Sequence, residues 1–439
     1  MLQTPGPRAI DAPGDVEAAR IIIDGALAAN RDILNEMESK AVLAAFRIPI
    51  SRTVLARSAG EAMLLAEELG LPVALKIASP DITHKSDVGG VRLDLRTLPA
   101  VRAAYQELID SAHAARPDAK IEGVAVEPMA QRPNGRELML GVAQDQVFGP
   151  VITFGAGGTA VEILRDRAVA LPPLNELLIR DMVRSTRVAK LLGRFRNLPP
   201  IAMAELETTL LRVSEMVCEL PELRELDINP LIADESGVIA VDARIVVGRP
   251  HPGLDHYGHM AIHPYPAQRV RHWHMPDGAQ MTIRPIRPED AEIEREFVKE
   301  LSPESKYFRF MDTLRELTPQ MLARFTQIDY DREMAFIAVT QDGGKEVEVG
   351  VGRYITNPDG ESCEFAVVIA DAWQGRGIAG RLMSELIAVA REKRLKQMVG
   401  HVLASNSRMV EFVGGLGFTL SHDPSDPTVK RAVLALQPH

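Results

Sequence analysis

The stretch FAVVIADAWQGRGIAGRLMSELIAVAREKR, Phe365 to Arg394, constrains this chain more than any other. Its apolar run, Phe365 to Ala370, reads as a strand, and Leu382, Met383, Leu386, Ile387 and Val389 recur at helical spacing. Between them stand Gly375, Gly377 and Gly380, so a strand feeds a helix through a turn of the size that wraps a phosphate.

The three glycines spell GxGxxG, the dinucleotide fingerprint, which alone is a weak signal. Its context is missing: a dinucleotide fold ends the next strand with an acidic residue, whereas MVGHVLA is followed here by Ser405, Asn406 and Ser407. The same letters also read Q-x-x-G-x-A, at Gln374, Gly377 and Ala379. In this form the loop resembles the acyl-CoA pyrophosphate loop of the GNAT acyltransferase superfamily. The resemblance extends to the opening strand and helix MTIRPIRPEDAEIEREFVKEL, to CEFAVVI before the loop, and to NSRMVEFVGGLGF, Asn406 to Phe418, all in the family's order. It implies acetyl-CoA as cosubstrate, held by Val367, Val368 and Ile369 on the strand, by Gln374, Gly375, Arg376, Gly377, Ala379 and Gly380 in the loop, and by Asn406.

Catalysis in that family joins an amine to the thioester carbonyl. A lysine ammonium must first lose a proton, which calls for a carboxylate acting directly or through water. Glu364, ten positions before Gln374, stands where the resemblance places this base; Glu361 is the nearby alternative, and a solvated strand glutamate the plain one. Backbone N–H groups of the same strand would polarise the thioester oxygen. Many relatives carry a tyrosine five positions before the closing Gly-Phe as the acid, and here that position is Val413, which leaves the proton donor unassigned.

With 439 residues, 46% of them hydrophobic, the chain is long enough for two or three cores. Short apolar runs at Pro72–Ile77, Val91–Leu95, Glu122–Glu127, Glu137–Val142, Pro150–Phe154, Glu225–Ile232 and Val238–Ile245 predict strands. Helical periods cover Ala59–Leu69, Leu98–Ala114, Asn175–Leu192 and Ala202–Glu219, so the N-terminal part is expected to be α/β or α+β. Residues 248 to 278 differ, with five prolines and six of the eleven histidines but no apolar period. Their histidine spacing is irregular and no metal-binding helix frames them, and we expect an irregular connection. The expected organisation is a helical lead-in over 1–37, a domain over 38–247, a linker over 248–280 and a second domain over 281–439 with a mixed, mostly antiparallel sheet.

The segment LPVALKIASPDITHKSDVGGVRLDL, Leu71 to Leu95, resembles the ATP-grasp subunit of ADP-forming acyl-CoA synthetases. VEPM, GRELMLGVAQDQVFGPVITFGAGGTAVE, ELDINPL and VDARI follow in that family's order. The resemblance implies that Lys76 neutralises nucleotide phosphate, that Glu127 lies at the adenosine hinge, and that Asn229 and Asp242, with Asp227 beside them, hold magnesium. Gly155, Gly157 and Gly158 would cradle a phosphate or make a tight structural turn, and His84 would accept a phosphoryl group. For each charged residue, buried salt bridging is the competing role.

The arrangement as a whole resembles the C-terminal half of the large bacterial protein acetyltransferases, in which a synthetase-like region precedes a GNAT domain. HMAIHPYP and LSPESKYFRFM are typical of that group, which acetylates lysines on metabolic enzymes, acyl-CoA synthetases among them. Implied partners are such a protein acceptor and a CoA-binding part supplied by another chain or by an N-terminal half. A net charge of -10 argues against nucleic acid, and two cysteines are too few for a disulfide framework. No run of about 18 apolar residues and no secretory leader pattern are present, so a cytoplasmic protein is expected. Three functions compete: a lysine acetyltransferase whose ATP-grasp region regulates or is vestigial, a component of an ATP-dependent acyl-CoA ligase, and a non-catalytic sensor of acyl-CoA or nucleotide.

Overall fold

The computed structural model describes residues 13–82, 85–129, 132–158, 166–250, 257–275, 278–311, 316–424 and 426–436. They form two compact units that part between Ala261 and Ile262.

The N-terminal unit holds two sheets. In the smaller, β1 (Val54–Ala56), β4 (Gly123–Pro128), β2 (Val73–Ala78) and β3 (Val91–Leu95) lie side by side, all antiparallel. Strand alternation sorts its residues. Val73, Leu75, Ile77, Val124 and Val126 pack against α3 (Ala59–Leu69) and α4 (Leu98–Ala115), while Lys76 and Glu127 take the opposite face and line a cleft.

The larger sheet orders β10 (Ala243–Val247), β8 (Leu223–Asp234), β5 (Arg136–Asp145), β6 (Gly149–Ala156) and β7 (Arg167–Ala170), with β9 (Gly237–Ala240) also paired to β8. Its core includes Leu138, Leu140, Phe154 and Ile228. Helix α1 (Val16–Ala28), within the expected lead-in, buries Ala19, Ile23 and Ala26 in the same core. Helix α2 (Glu36–Ala45) starts from a capping box in which Asn35 and Glu38 satisfy each other's backbone N–H groups.

Two expected elements are broken, each for a visible reason. The helix read over 175–192 is two, α5 (Glu176–Arg184) and α6 (Ala189–Leu192). The Ser185 and Thr186 hydroxyls donate back to the Met182 and Val183 carbonyls, and the Asp166 carboxylate accepts from the Arg187 and Val188 N–H groups, which ends one turn and starts another. The strand read over 238–245 is interrupted at Val241 and Asp242, which lets Asp242 line the cleft. Helix α7 (Met203–Glu219) covers this sheet as expected.

The C-terminal unit is one eight-stranded sheet in the order β11 (Arg271–His274), β12 (Gln280–Pro285), β13 (Glu333–Asp342), β14 (Lys345–Thr356), β15 (Ser362–Ile369), β16 (Gln397–Leu403), β18 (Val429–Ala435), β17 (Thr419–His422). Every pairing is antiparallel except β15 with β16. The expected linker does not stay irregular: β11 joins this sheet, Tyr265 packs edge-on against Tyr330, and Met260 is buried in the N-terminal core. Helices α8 (Ala291–Glu300), α9 (Pro303–Phe310) and α10 (Pro319–Thr326) precede β13. Helix α11 (Ile378–Glu392) packs over β13, β14 and β15, and α12 (Ser407–Gly415) follows β16. None of the described helices is long and apolar enough to cross a membrane.

One buried group in this unit is costly. Glu348 on β14 is 3% exposed, and neither carboxyl oxygen meets a hydrogen-bond donor. Burial, then the Glu294 carboxylate and more weakly Asp290, push its carboxyl well above the usual range. Above the ordinary carboxyl pKa of about 4.3 the unfolded chain releases this proton while the folded one keeps it, so stability falls as pH rises through that window. Glu348→Gln keeps the shape without the titration and supplies an amide donor to Glu294. It is expected to raise stability at neutral pH by about 1–3 kcal/mol and to flatten the decline. Thermal unfolding followed upward from about pH 4 checks this; an unchanged slope contradicts it.

Candidate functional site

The parallel pairing of β15 and β16 lasts only three residues, Ser362 to Glu364 against Gln397 to Val399. Beyond it β15 stays with β14 as far as Ile369, while β16 turns to β18 over its whole length. The edge of Phe365–Ile369 that faces β16 therefore has no strand partner among the described residues, and Val367, Val368 and Ile369 stand on the wall of a wedge that opens at Glu364. Backbone N–H groups on such an edge are donors in search of an acceptor.

The glycine loop closes the wide end. Gly375 and Gly377 have φ of +74° and +83°, a region that costs any side chain dearly, and Gly377 is the N-cap of α11. It offers no side-chain cap, so the first-turn N–H groups, including those of Ala379 and Gly380, face outward without a side-chain acceptor. A Cβ at Gly375, Gly377 or Gly380 would meet nothing within 4 Å, so the backbone is open to a ligand. The Arg376 guanidinium lies 4.8 Å from the Trp373 ring centroid, and that of Arg381 lies 3.9 Å from the Trp273 centroid. Uncapped N–H groups and the helix dipole are what an anion site is built from, and Arg376 stands in the same loop.

Gln374 and Asn406, both expected at the acetyl-CoA site, also have partners within the protein. The Gln374 amide reaches the Ile369 carbonyl at 3.3 Å and Ser305 Oγ at 3.4 Å, which braces the loop against strand and helix. Asp371 adds to this by accepting from Ser302 N, Ser302 Oγ and Ser305 Oγ at 2.7–2.9 Å. Asn406 Oδ1 caps α12 by accepting from Met409 N. Val413 is fully buried in the core.

Glu364 lines a recess of about 420 Å³ with Ser362, Gln397, Val399, His401 and Arg431. Its side chain is 54% exposed, and its partner is the His401 imidazole, with Nδ1 3.2 Å from Oε1. The other ring nitrogen, Nε2, lies 3.4 Å from Asp423 Oδ2. Sequence reading missed His401 and Asp423. The signal was the strand QMVGHVL: Val399 is the register mate of Glu364, so His401 falls on the same face one step along. Glu361, the alternative base, is engaged with Lys396 in an exposed pair at 2.5 Å.

The N-terminal unit has its own cleft of about 570 Å³ between its two sheets, lined among others by Glu36, Lys76, Lys85, Glu127, Asp227, Asn229 and Asp242. Lys76 Nζ lies 3.0 Å from both Glu36 Oε1 and Glu127 Oε2. Lys40 Nζ binds Glu127 Oε1 at 2.7 Å, Glu36 Oε1 at 3.0 Å, Thr53 Oγ1 and Ser51 Oγ, and Lys85 also pairs with Glu36. Burial opposes the charges of Glu36, Lys76 and Glu127. The lysines nevertheless hold Glu36 ionised well below the usual carboxylate range, while burial and the Glu36 charge push Glu127 up. Glu36, Asp242 and Glu127 together raise Lys76 despite its burial. The expected phosphate lysine and hinge glutamate thus belong to one buried ion cluster, and its members Glu36, Lys40 and Lys85 were not singled out from the sequence.

Asp242 faces Asp227, whose carboxyl is pushed up by burial and by the Asp242 charge, and Asn229 Oδ1 accepts from the Gly158 N–H at 2.9 Å. No group of three His, Cys, Asp or Glu side chains close enough to share a metal occurs among the described residues. Two carboxylates and an amide oxygen on one cleft wall do fit magnesium, which takes few protein ligands and keeps its waters. A Cβ at Gly155 or Gly157 would collide with the Asp166 or Leu138 carbonyl, so these two glycines serve close strand packing, whereas Gly158 has φ +74°. His84 lies outside the described residues.

Comparison with known proteins matches residues 25–247 to the ATP-grasp domain family and residues 280–419 to the acetyltransferase (GNAT) domain family. The subunit beta of ADP-forming acetate–CoA ligase I from Pyrococcus furiosus is 38% identical over 53% of this chain and 99% of its own. An acetyltransferase of Pseudomonas aeruginosa is 41% identical over 36% of this chain and 86% of its own. Among solved structures, the dinucleotide-forming acetyl-coenzyme A synthetase 1 of Ca. Korarchaeum cryptofilum, in complex with coenzyme A, Ca-AMPCP and HgCl+, aligns with a TM-score of 0.51 at 38% identity, covering 52% of this chain and 100% of that one.

Proposed function

We propose, for a chain that belongs to the ATP-grasp family through residues 25–247 and carries a GNAT acetyltransferase domain over residues 280–419, that it transfers acetyl from acetyl-CoA to lysines of a protein acceptor such as an acyl-CoA synthetase. The observation that carries this reading is the wedge: two parallel strands part at Glu364, beside an uncapped helix N-terminus.

In this reading the diphosphate of acetyl-CoA sits on the first turn of α11 and the Gly375–Gly377 backbone, and the thioester lies in the wedge against the free edge of β15. Those edge N–H groups polarise the carbonyl oxygen. Glu364, directly or through one water, takes a proton from the lysine ammonium, and the amine nitrogen forms its bond to the carbonyl carbon. The carbon–sulfur bond then breaks and coenzyme A leaves as thiolate or thiol. Per turnover, an ammonium and a thioester become an amide, a thiol and one proton for solvent.

Gly377 gives a direct check on the anion site. Gly377→Ala forces a side chain into the left-handed region at a cost of about 1–2 kcal/mol. It is expected to raise KM for acetyl-CoA about tenfold with a smaller change in kcat. Steady-state kinetics together with calorimetric titration of acetyl-CoA test this, and an unchanged affinity contradicts it.

A second reading treats the chain as one component of an ATP-dependent acyl-CoA ligase. The cleft supports it, with Lys76, Asp227, Asn229 and Asp242 on its walls, as does the likeness to a ligase beta subunit. Asp227, Asn229 and Asp242 would hold the magnesium that accompanies nucleotide phosphate, and Lys76 would exchange Glu36 for phosphate oxygens. Ligase activity on adding a separate CoA-binding subunit, with ATP and acetate, tests this; none with nucleotide bound leaves the cleft a regulatory or vestigial site. The sensor reading has less support, since Glu364 is half exposed and its close partner is His401, with the Arg309 guanidinium acting on it only as a neighbouring charge.

A further inference from the structure

The pair His401 and Asp423 is absorbed by neither the fold nor the proposed chemistry. His401 stands on β16, one side-chain step beyond the point where the strands part, and lines the same recess as Glu364. Its two ring nitrogens are spoken for by two carboxylates on different elements: Glu364 Oε1 on β15 at 3.2 Å from Nδ1, and Asp423 Oδ2, just past β17, at 3.4 Å from Nε2. Exposure falls along the line, from 54% for Glu364 to 36% for His401 and 12% for Asp423. The backbone fixes both ends. Val399 is paired with Glu364 in the parallel register, and the Asp423 N–H donates to the Val429 carbonyl on β18. Arg431, cross-strand from His401, and Arg309 on α9, whose guanidinium interacts with the Glu364 charge, are cations facing this line, and Asp359 is a further acid in the recess.

We infer that His401, oriented by Asp423, is a positioning residue that empties Glu364 of its proton after each amine deprotonation. This rests on the reading of Glu364 as the base. The step balances. Protonated Glu364 gives its proton to Nδ1 of the neutral imidazole as the Nε2 proton passes to Asp423, and Asp423 returns it to water. The imidazole thereby leaves as the other tautomer, Glu364 is again a carboxylate, and no oxidant or reductant takes part. A later exchange through solvent restores the first tautomer. The one proton that acetyl transfer must release per turnover has, in this line, a route that does not require bulk water to enter the wedge while the thioester is in it.

A carboxylate–imidazole–carboxylate line also fixes the Glu364 rotamer, and a purely structural role would be confined to that. Two readouts separate the two. With full-length protein and a lysine peptide as acceptor, His401→Ala is expected to lower kcat/KM about tenfold to a hundredfold with unchanged acetyl-CoA affinity, and millimolar imidazole is expected to restore a large part of the loss. His401→Gln, which keeps a hydrogen bond to Glu364 but cannot relay, is expected to remain slow and to lose one ionisation from the acid limb of the kcat/KM profile. Asp423→Asn is expected to keep that ionisation and displace it along the pH axis. Wild-type rates and an unchanged acid limb in His401→Gln overturn the relay, and so does a slow His401→Ala that imidazole leaves slow. Failure of the underlying reading looks different: Glu364→Gln itself would then stay active, whatever His401 does.

Discussion

Glu364→Gln is expected to lower the rate of acetyl transfer at saturating acetyl-CoA by about 10²- to 10⁴-fold, the usual worth of a positioned base, while the dissociation constant for acetyl-CoA changes less than about twofold. The asymmetry follows from where the side chain stands. Glu364 occupies the last register pair before β15 and β16 part, and its carboxylate lies in the recess with His401, whereas the proposed diphosphate site is the backbone of the glycine loop and the first turn of α11. The amide is isosteric and its N–H can donate to His401 Nδ1, so the recess keeps its shape and only the ability to take a proton is lost. Single-turnover transfer and equilibrium titration on the same preparation separate the two quantities. Equal loss of both would mean that Glu364 shapes the acyl-CoA site; loss of neither would return the base to another group.

The second large effect is on stability. Lys40→Met removes a buried ammonium, 2% exposed, that contacts Glu36, Glu127, Ser51 and Thr53 at 2.7–3.0 Å. Two carboxylates lose one of their shared counter-charges in a site that water barely reaches, and breaking a buried pair from one side costs about 3–5 kcal/mol. The N-terminal unit is expected to lose that much in denaturant unfolding. Glu127→Gln is expected to cost less, because burial and the Glu36 charge already work against its ionised form. A Lys40→Met protein within about 0.5 kcal/mol of wild type would show that the cluster is solvated in solution and stabilises little.

Much of this was legible in the sequence. The apolar run PVALKI was read as the strand that carries Lys76, and the strand, glycine loop and helix from Phe365 stand where they were read. What escaped depends on partners distant in the chain. The segment before residue 38 reads as a lead-in because Ala19, Ile23 and Ala26 are weak apolar signals until the β-sheet core they enter is known. His272 and His274 looked like parts of a linker, yet they stand on β11 because the Arg271–His274 backbone finds β12. The same holds at the sites. Glu36, Lys40 and Lys85 share one cluster with Lys76 across three segments, and His401 meets Glu364 only once the short parallel pairing is in register. For Gln374 and Asn406 a motif gives the residue type, and the Ile369 carbonyl and the Met409 N–H are partners that only the fold reveals.

The most direct test is acetyl transfer itself: purified chain, acetyl-CoA and a purified acyl-CoA synthetase as acceptor, with free thiol and acceptor mass followed together, in the presence and absence of ATP and magnesium. The account predicts thiol release that requires the acceptor, an acetyl group on an acceptor lysine, loss of both when the acceptor's amines are dimethylated beforehand, and persistence without nucleotide. Protein that binds acetyl-CoA yet releases no thiol with any lysine acceptor, or releases it only with ATP and magnesium, would contradict it.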